Sequence, residues 1–157
     1  MLKVAEELRG TVDRAMPLLE EITDDNASIA TAPGKWSRKE ILGHLIDSAG
    51  NNQQKFVRLM ETPQLDFVGY HQNHWVDSQK YNAADWRGLI ALWRGFNMHI
   101  AHIIEHVEPG ALANSITIDD DGGPYTLEFI MTDYVRHMEH HLSQILPGGP
   151  FSSPYSR

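Results

Sequence analysis

Cysteine is absent from the 157-residue chain. That excludes disulfides, thiolate metal ligands and a cysteine nucleophile, and it fits a reducing compartment. Basic side chains are in deficit, 13 Lys and Arg against 21 Asp and Glu, for a formal charge of −8. Nucleic acid and anionic membrane draw on Lys/Arg-rich faces, so neither is an expected partner. A small anionic substrate held at a local positive centre stays compatible with that balance. No apolar run approaches the roughly 18 residues of a membrane span. The basic-then-apolar order of a secretory signal is missing too, because Glu6, Glu7 and Arg9 break it early. Internal repeats and low-complexity tracts are lacking. The expectation is one soluble, cytoplasmic domain over 1–157, with an ordinary 41% apolar and 22% charged content.

Helical periodicity, by contrast, is plentiful. Val4, Leu8, Val12, Ala15, Leu19 and Ile22 mark a first helix over 2–23, which Pro17 is expected to bend or shorten. The small, polar stretch 24–34, broken by Pro33-Gly34, reads as a loop. Ser37 and Glu40 form a capping box that opens a second helix, stopped by Pro63. The stretch 64–83 has no clear period, and a connection that long is usually functional or carries short helical turns. A third helix follows over about 84–107, then a weakly alternating segment 115–118. The polar run from Asp119 through Asp120 and Asp121 to Pro124 makes a small hairpin possible. Thr126 caps a fourth helix reaching about Leu146, and the residues from about 148 read as a loose tail. Four long amphipathic helices and little strand point to an all-α four-helix bundle.

Three histidines fall within five positions of the fourth helix. His137 and His141, four apart, stack one turn above the other and are spaced to grip one ion. A helix whose solvated side happens to be rich in histidine has the same spacing. The wheel puts His141 at the edge of the apolar stripe and His137 beside it. His140 turns further toward solvent, although a slight helix shift would let it join or replace a ligand. On the second helix His44 sits just off the stripe, on the same edge as Ser48, and is a plausible third ligand. Three imidazoles leave a coordination position open, the pattern of a catalytic site. His99, His102 and His106 point away from the third helix's stripe. The order of His137, Glu139, His140 and His141 fits neither zinc-protease pattern, each of which needs its Glu next to a histidine.

The run from Pro33-Gly34-Lys35-Trp36-Ser37 through Gly43-His44-Leu45-Ile46-Asp47-Ser48 resembles the DinB-like superfamily. So does the later His137-x3-His141-x2-Gln144-Ile145, and the likeness extends helix for helix over nearly the whole chain. It is nearest to the branch of metal-dependent hydrolases and thiol S-transferases. The resemblance implies an up-down-down-up four-helix bundle with a divalent ion, zinc or nickel foremost, on His44, His137 and His141. It also implies a small-molecule substrate, in several members a low-molecular-weight thiol joined to an electrophile, and often a homodimer. No binding of nucleic acid follows from it.

On that reading the ion activates a water or a small thiol, and the thiol must come from outside a chain without cysteine. Asp47 and Gln144 are candidates to accept the imidazoles' outward N–H groups, with Ser48, Asn51 and His140 nearby. Tyr70, His71, Gln72, His74 and Trp75 are candidates for a substrate wall, or else for an aromatic plug at one end of the bundle. Trp75, Trp86 and the off-face histidines of the third helix are candidates for a dimer contact. The competing readings are a non-catalytic, regulatory metal-binding bundle and a structural bundle with incidental histidines. Protons compete with metal for imidazole, so affinity is expected to fall below roughly pH 6.

Overall fold

The computed structural model describes residues 1–119, 122–153 and 155. Of the residues invoked above, Asp120 and Asp121 in the expected turn lie outside the described residues, as do Pro154, Ser156 and Arg157 of the tail. The first helix, α1 (Leu2–Glu20), buries Ala5, Leu8, Val12, Ala15 and Leu19 along one stripe. Pro17 lies inside it, and the helix ends within a turn of that residue, short of 23. The expected loop after it begins instead with a short helix, α2 (Asp24–Ser28). The Thr23 hydroxyl caps it by accepting from the Asn26 N–H, and Asp24 and Asp25 suit its N-terminal dipole.

Helix α3 (Arg38–Glu61) opens on the expected capping box. The Glu40 N–H donates to the Ser37 hydroxyl at 3.2 Å, and the Ser37 N–H donates to the Glu40 carboxylate at 2.7 Å. The irregular stretch that follows resolves into β1 (Gln64–Phe67), α4 (Gln72–Gln79) and a 3₁₀ turn over Tyr81–Ala83. Helix α5 (Trp86–Glu105) is capped by Asp85, which accepts from the Gly88 N–H at 2.6 Å. Strands β2 (Ser115–Ile118) and β3 (Gly122–Thr126) pair antiparallel, and β1 adds parallel to β2. Helix α6 (Leu127–Ile145) then starts on Thr126.

The bundle is mostly helical, but the three-stranded sheet β1-β2-β3 corrects the all-α description. A four-residue strand with one buried side chain, Phe67, is too short to show a period. Helix α1 packs on α5 and α6, and α3 packs on the same two from the other side. Between them lie Leu42, Leu45, Phe56, Trp93, Ile100, Met138 and Leu142.

One further expectation changes. Trp86 is buried, its indole N–H donating to the Leu19 carbonyl at 3.0 Å, so it belongs to the core and not to a dimer surface. Within the segment from 148, Phe151 is buried, with the Arg14 guanidinium 5.9 Å from its ring centre. Among the described residues no helix is long and apolar enough to cross a membrane.

Candidate metal centre

The α3–α6 contact builds the site. At one end the Arg38 Nε–H donates to the Ile145 carbonyl at 3.1 Å, which sets the register of the two helices. Two turns further along α3, His44 reaches the α6 face that carries His137 and His141. One ring nitrogen from each of the three lies within 4.8 Å of the others. The Nε2 atoms of His44 and His137 are 3.4 Å apart. The His141 ring centre is 4.7 Å from that of His44 and 4.6 Å from that of His137.

These residues suit a divalent cation on structural grounds. Two nitrogens bound at 2.0–2.1 Å to one tetrahedral ion stand about 3.4 Å apart. Burial drives the His44 imidazole down to about 4, with repulsion from His141 second. It drives His137 down to about 3, again with His141 and then His44 adding to it. His141 is lowered for the same reason, partly opposed by its bond to Gln144. At neutral pH all three are therefore uncharged donors with lone pairs to offer. The Nδ1 atoms of His44 and His137 are buried without a hydrogen-bond partner among the described residues. One buried and two half-buried imidazoles with so few partners are costly, and a shared cation offsets part of that cost.

The surrounding polar candidates separate. Gln144 touches a candidate ligand, its Oε1 accepting from His141 Nδ1 at 3.0 Å. His140 turns outward, with Nδ1 2.7 Å from the Ser153 hydroxyl. Asp47 contacts no imidazole: its Oδ1 accepts from the Tyr81 hydroxyl at 2.6 Å and the Gln79 amide at 2.7 Å. Burial raises its pKa, and its Oδ2 is buried without a partner among the described residues. The Asn51 amide donates back to the Asp47 carbonyl, and Ser48 accepts from the Asn52 amide. Glu139 accepts from Thr11 and Arg14, tying α6 to α1 and facing away from the histidines.

A cavity of about 870 Å³ opens beside His44 and His137. Tyr70, His71 and Gln72 line it, as does Ser48. His74 and Trp75 do not: His74 faces Ser78 on α4, and Trp75 backs the Tyr70 ring at 4.9 Å. Burial, and after it the Asp47 charge, raises the Tyr70 phenol, which stays protonated. Sequence reasoning missed Asn52, Lys55, Asp133 and Tyr134 on the cavity wall. Helical spacing held the signal, since Asn52 and Lys55 extend the His44–Ser48 edge and Tyr134 lies three residues before His137. It also missed Tyr125, Phe129 and Tyr155, which the hairpin, the first turn of α6 and the tail bring in. His99 and His102 on α5, and His106 at its C-terminal cap, lie exposed, away from the core.

The profile of the DinB superfamily matches residues 7–145. A curated protein of Bacillus subtilis (strain 168), "Putative metal-dependent hydrolase YfiT", is 24% identical over 146 residues, covering 92% of this chain and 79% of that one. A solved structure is described as YfiT from Bacillus subtilis, a probable metal-dependent hydrolase with an unusual four-helix bundle topology. It superposes with a TM-score of 0.79 at 22% identity, over 92% of this chain and 81% of that chain. At that identity the likeness speaks for the fold.

Proposed function

The chain belongs to the DinB superfamily, and from that premise we propose that it is a metal-dependent hydrolase of a small molecule, its ion held on His44, His137 and His141. The observation that carries the reading is the convergence of three uncharged imidazoles, two of which, His44 and His137, line a substrate-sized cavity. A divalent ion such as zinc or nickel, when bound, supplies Lewis acidity and lowers the pKa of the donor that completes its coordination.

The chain's own groups do the rest. Gln144 holds the His141 ring in place. Tyr70, kept protonated, is a hydrogen-bond donor for negative charge developing on the substrate. Ile118 and Ile130 line the cavity as buried, water-excluding walls. Val68, Phe129 and Tyr155, which are 78%, 46% and 39% exposed, put apolar surface at the mouth. Such a mouth favours a substrate whose distal part is apolar.

A second reading, S-transfer from a low-molecular-weight thiol to an electrophile, draws on two observations. The cavity is large enough for two small reactants, and a chain without cysteine needs an external thiol. We also read the helices as wired up-down-down-up. Three contacts support that order: Trp86 with Leu19, Arg38 with Ile145, and the Asp24 carboxylate shared by Lys39 and the Trp86 N–H.

The test begins with metal analysis of protein purified without a histidine tag. One divalent ion per chain is expected, and its loss in the His44→Ala, His137→Ala double variant. Unchanged metal content in that variant would overturn the site. Ester, amide and thiol-plus-electrophile panels on protein reconstituted with zinc or nickel then separate hydrolysis from S-transfer. No turnover with any of them favours a metal-binding module without catalysis.

A further inference from the structure

Four hydrogen bonds run outward from His141, all in one direction. His141 Nδ1 lies 3.0 Å from Gln144 Oε1, and Gln144 Nε2 lies 3.0 Å from His140 Nε2. His140 Nδ1 is 2.7 Å from the Ser153 hydroxyl, which donates to the Tyr155 carbonyl at 3.2 Å. An amide NH2 only donates, so His140 Nε2 must be the bare, accepting nitrogen. A neutral imidazole bare at Nε2 carries its proton on Nδ1, and that proton goes to Ser153. At the inner end the Gln144 carbonyl oxygen only accepts. His141 therefore holds its proton on Nδ1 and leaves Nε2 bare, the nitrogen left to join those of His44 and His137. Turning the amide over would set its NH2 against His141 Nδ1 and force the proton onto Nε2, the wrong tautomer for a ligand.

Ser153 is itself held. Phe151 beside it is buried, and the Tyr155 hydroxyl donates to Asp133 on α6 at 3.1 Å. The Tyr155 ring packs 5.5 Å from His140 and 5.7 Å from the Arg136 guanidinium.

We propose that Ser153 is a positioning residue for the metal centre: through His140 it fixes the Gln144 amide, and through that amide it keeps His141 in its metal-binding tautomer. The inference rests on the three-histidine metal site proposed above. It makes the C-terminal segment an outer part of that site, one that touches neither metal nor substrate through Ser153.

The experiment is zinc affinity by chelator competition on untagged protein. Ser153→Ala is expected to weaken binding roughly 2- to 10-fold, about what one hydrogen bond is worth, and Ser153→Thr to restore it. Gln144→Glu separates a relay from a plain packing effect. Its carboxylate accepts from His141 Nδ1 whatever His140 does, so adding Ser153→Ala to it is expected to change zinc affinity no further. Wild-type affinity in Ser153→Ala, or the same loss in both backgrounds, would overturn the relay while leaving the metal site standing. Absence of zinc binding by the wild-type protein would instead overturn the site and the relay together.

Discussion

The Nε2 atoms of His44 and His137 meet at 3.4 Å although 93 positions separate the two residues in the chain. The meeting is set by helix packing and by the Arg38 clamp on the end of α6. Two like nitrogens at that distance are spaced as two ligands of one tetrahedral ion would be.

Metal retention should survive mild acid. Exposed imidazoles begin to take up protons near pH 6.5, whereas burial holds His44 at about 4 and His137 at about 3. With His141 lowered as well, bound zinc is expected to be retained at pH 6 and to fall as pH approaches 4. This moves the onset below the pH 6 expected from unperturbed histidines. Equilibrium dialysis against zinc buffers across this range is the measurement, and release complete at pH 6 would contradict it.

The metal-free protein should lose stability over the same acid range. The folded-state values lie below the unfolded value of about 6.5, so between the two the unfolded chain binds protons that the folded chain does not. Stability is therefore fully present above pH 6.5 and declines as pH falls toward 4. Between pH 7 and pH 5 the loss is roughly 2 kcal/mol for each of His44 and His137. Urea titrations at pH 7 and pH 5 in the presence of a chelator measure it. Replacing His44 with Phe should flatten the slope.

Two glycines should respond in opposite ways to alanine. At Gly43 an added Cβ would stand 2.2 Å from the Tyr81 ring, whose hydroxyl bonds Asp47. Gly43→Ala is expected to cost about 1–3 kcal/mol or more, because a packed ring must move. At Gly95, exposed on α5, the added methyl meets nothing within 4 Å. Gly95→Ala is expected to stabilise by about 0.5–1 kcal/mol through lower unfolded-state entropy. Thermal unfolding of both variants decides the pair.

Phe129→Ala should separate binding from stability. The side chain is nearly half exposed at the cavity mouth, so its removal should change stability by no more than about 0.5 kcal/mol. With an active substrate in hand, KM should rise while kcat changes little, and the reverse pattern would remove Phe129 from the binding surface.

Local signals carried much of this molecule. Ser37 and Glu40 stand three apart and form their capping box wherever the helix ends up, so α3 was legible in the sequence. The same holds for the stacking of His137 and His141 on α6 and, once the family likeness is used, for His44. What stayed hidden depends on partners far along the chain. The strand 64–67 exists because 115–118 lies beside it, and a four-residue strand has no period to read. Trp86 is buried because Leu19 offers it a carbonyl, and a tryptophan near a helix start carries no sign of that. Ser153 and Tyr155 looked like tail residues because their attachment to α6 is made entirely through side chains and a fold-back. Asp47 shows the opposite limit. It lies three residues after His44 on the helix, yet Tyr81 and Gln79 claim its carboxylate.

The sheet gives the two ends of the cavity different freedoms. Val68, Ile118 and Tyr125 at its rim are carried on or beside strands held by backbone hydrogen bonds, which do not depend on side-chain identity. On the proposed metal site the three histidines tolerate no such exchange, because each would supply a donor atom. A lineage could thus retool the rim residue by residue while the histidines stay fixed. Relatives that share these histidines need not share a diet, and the substrate of this protein is to be sought in the chemistry of its own rim.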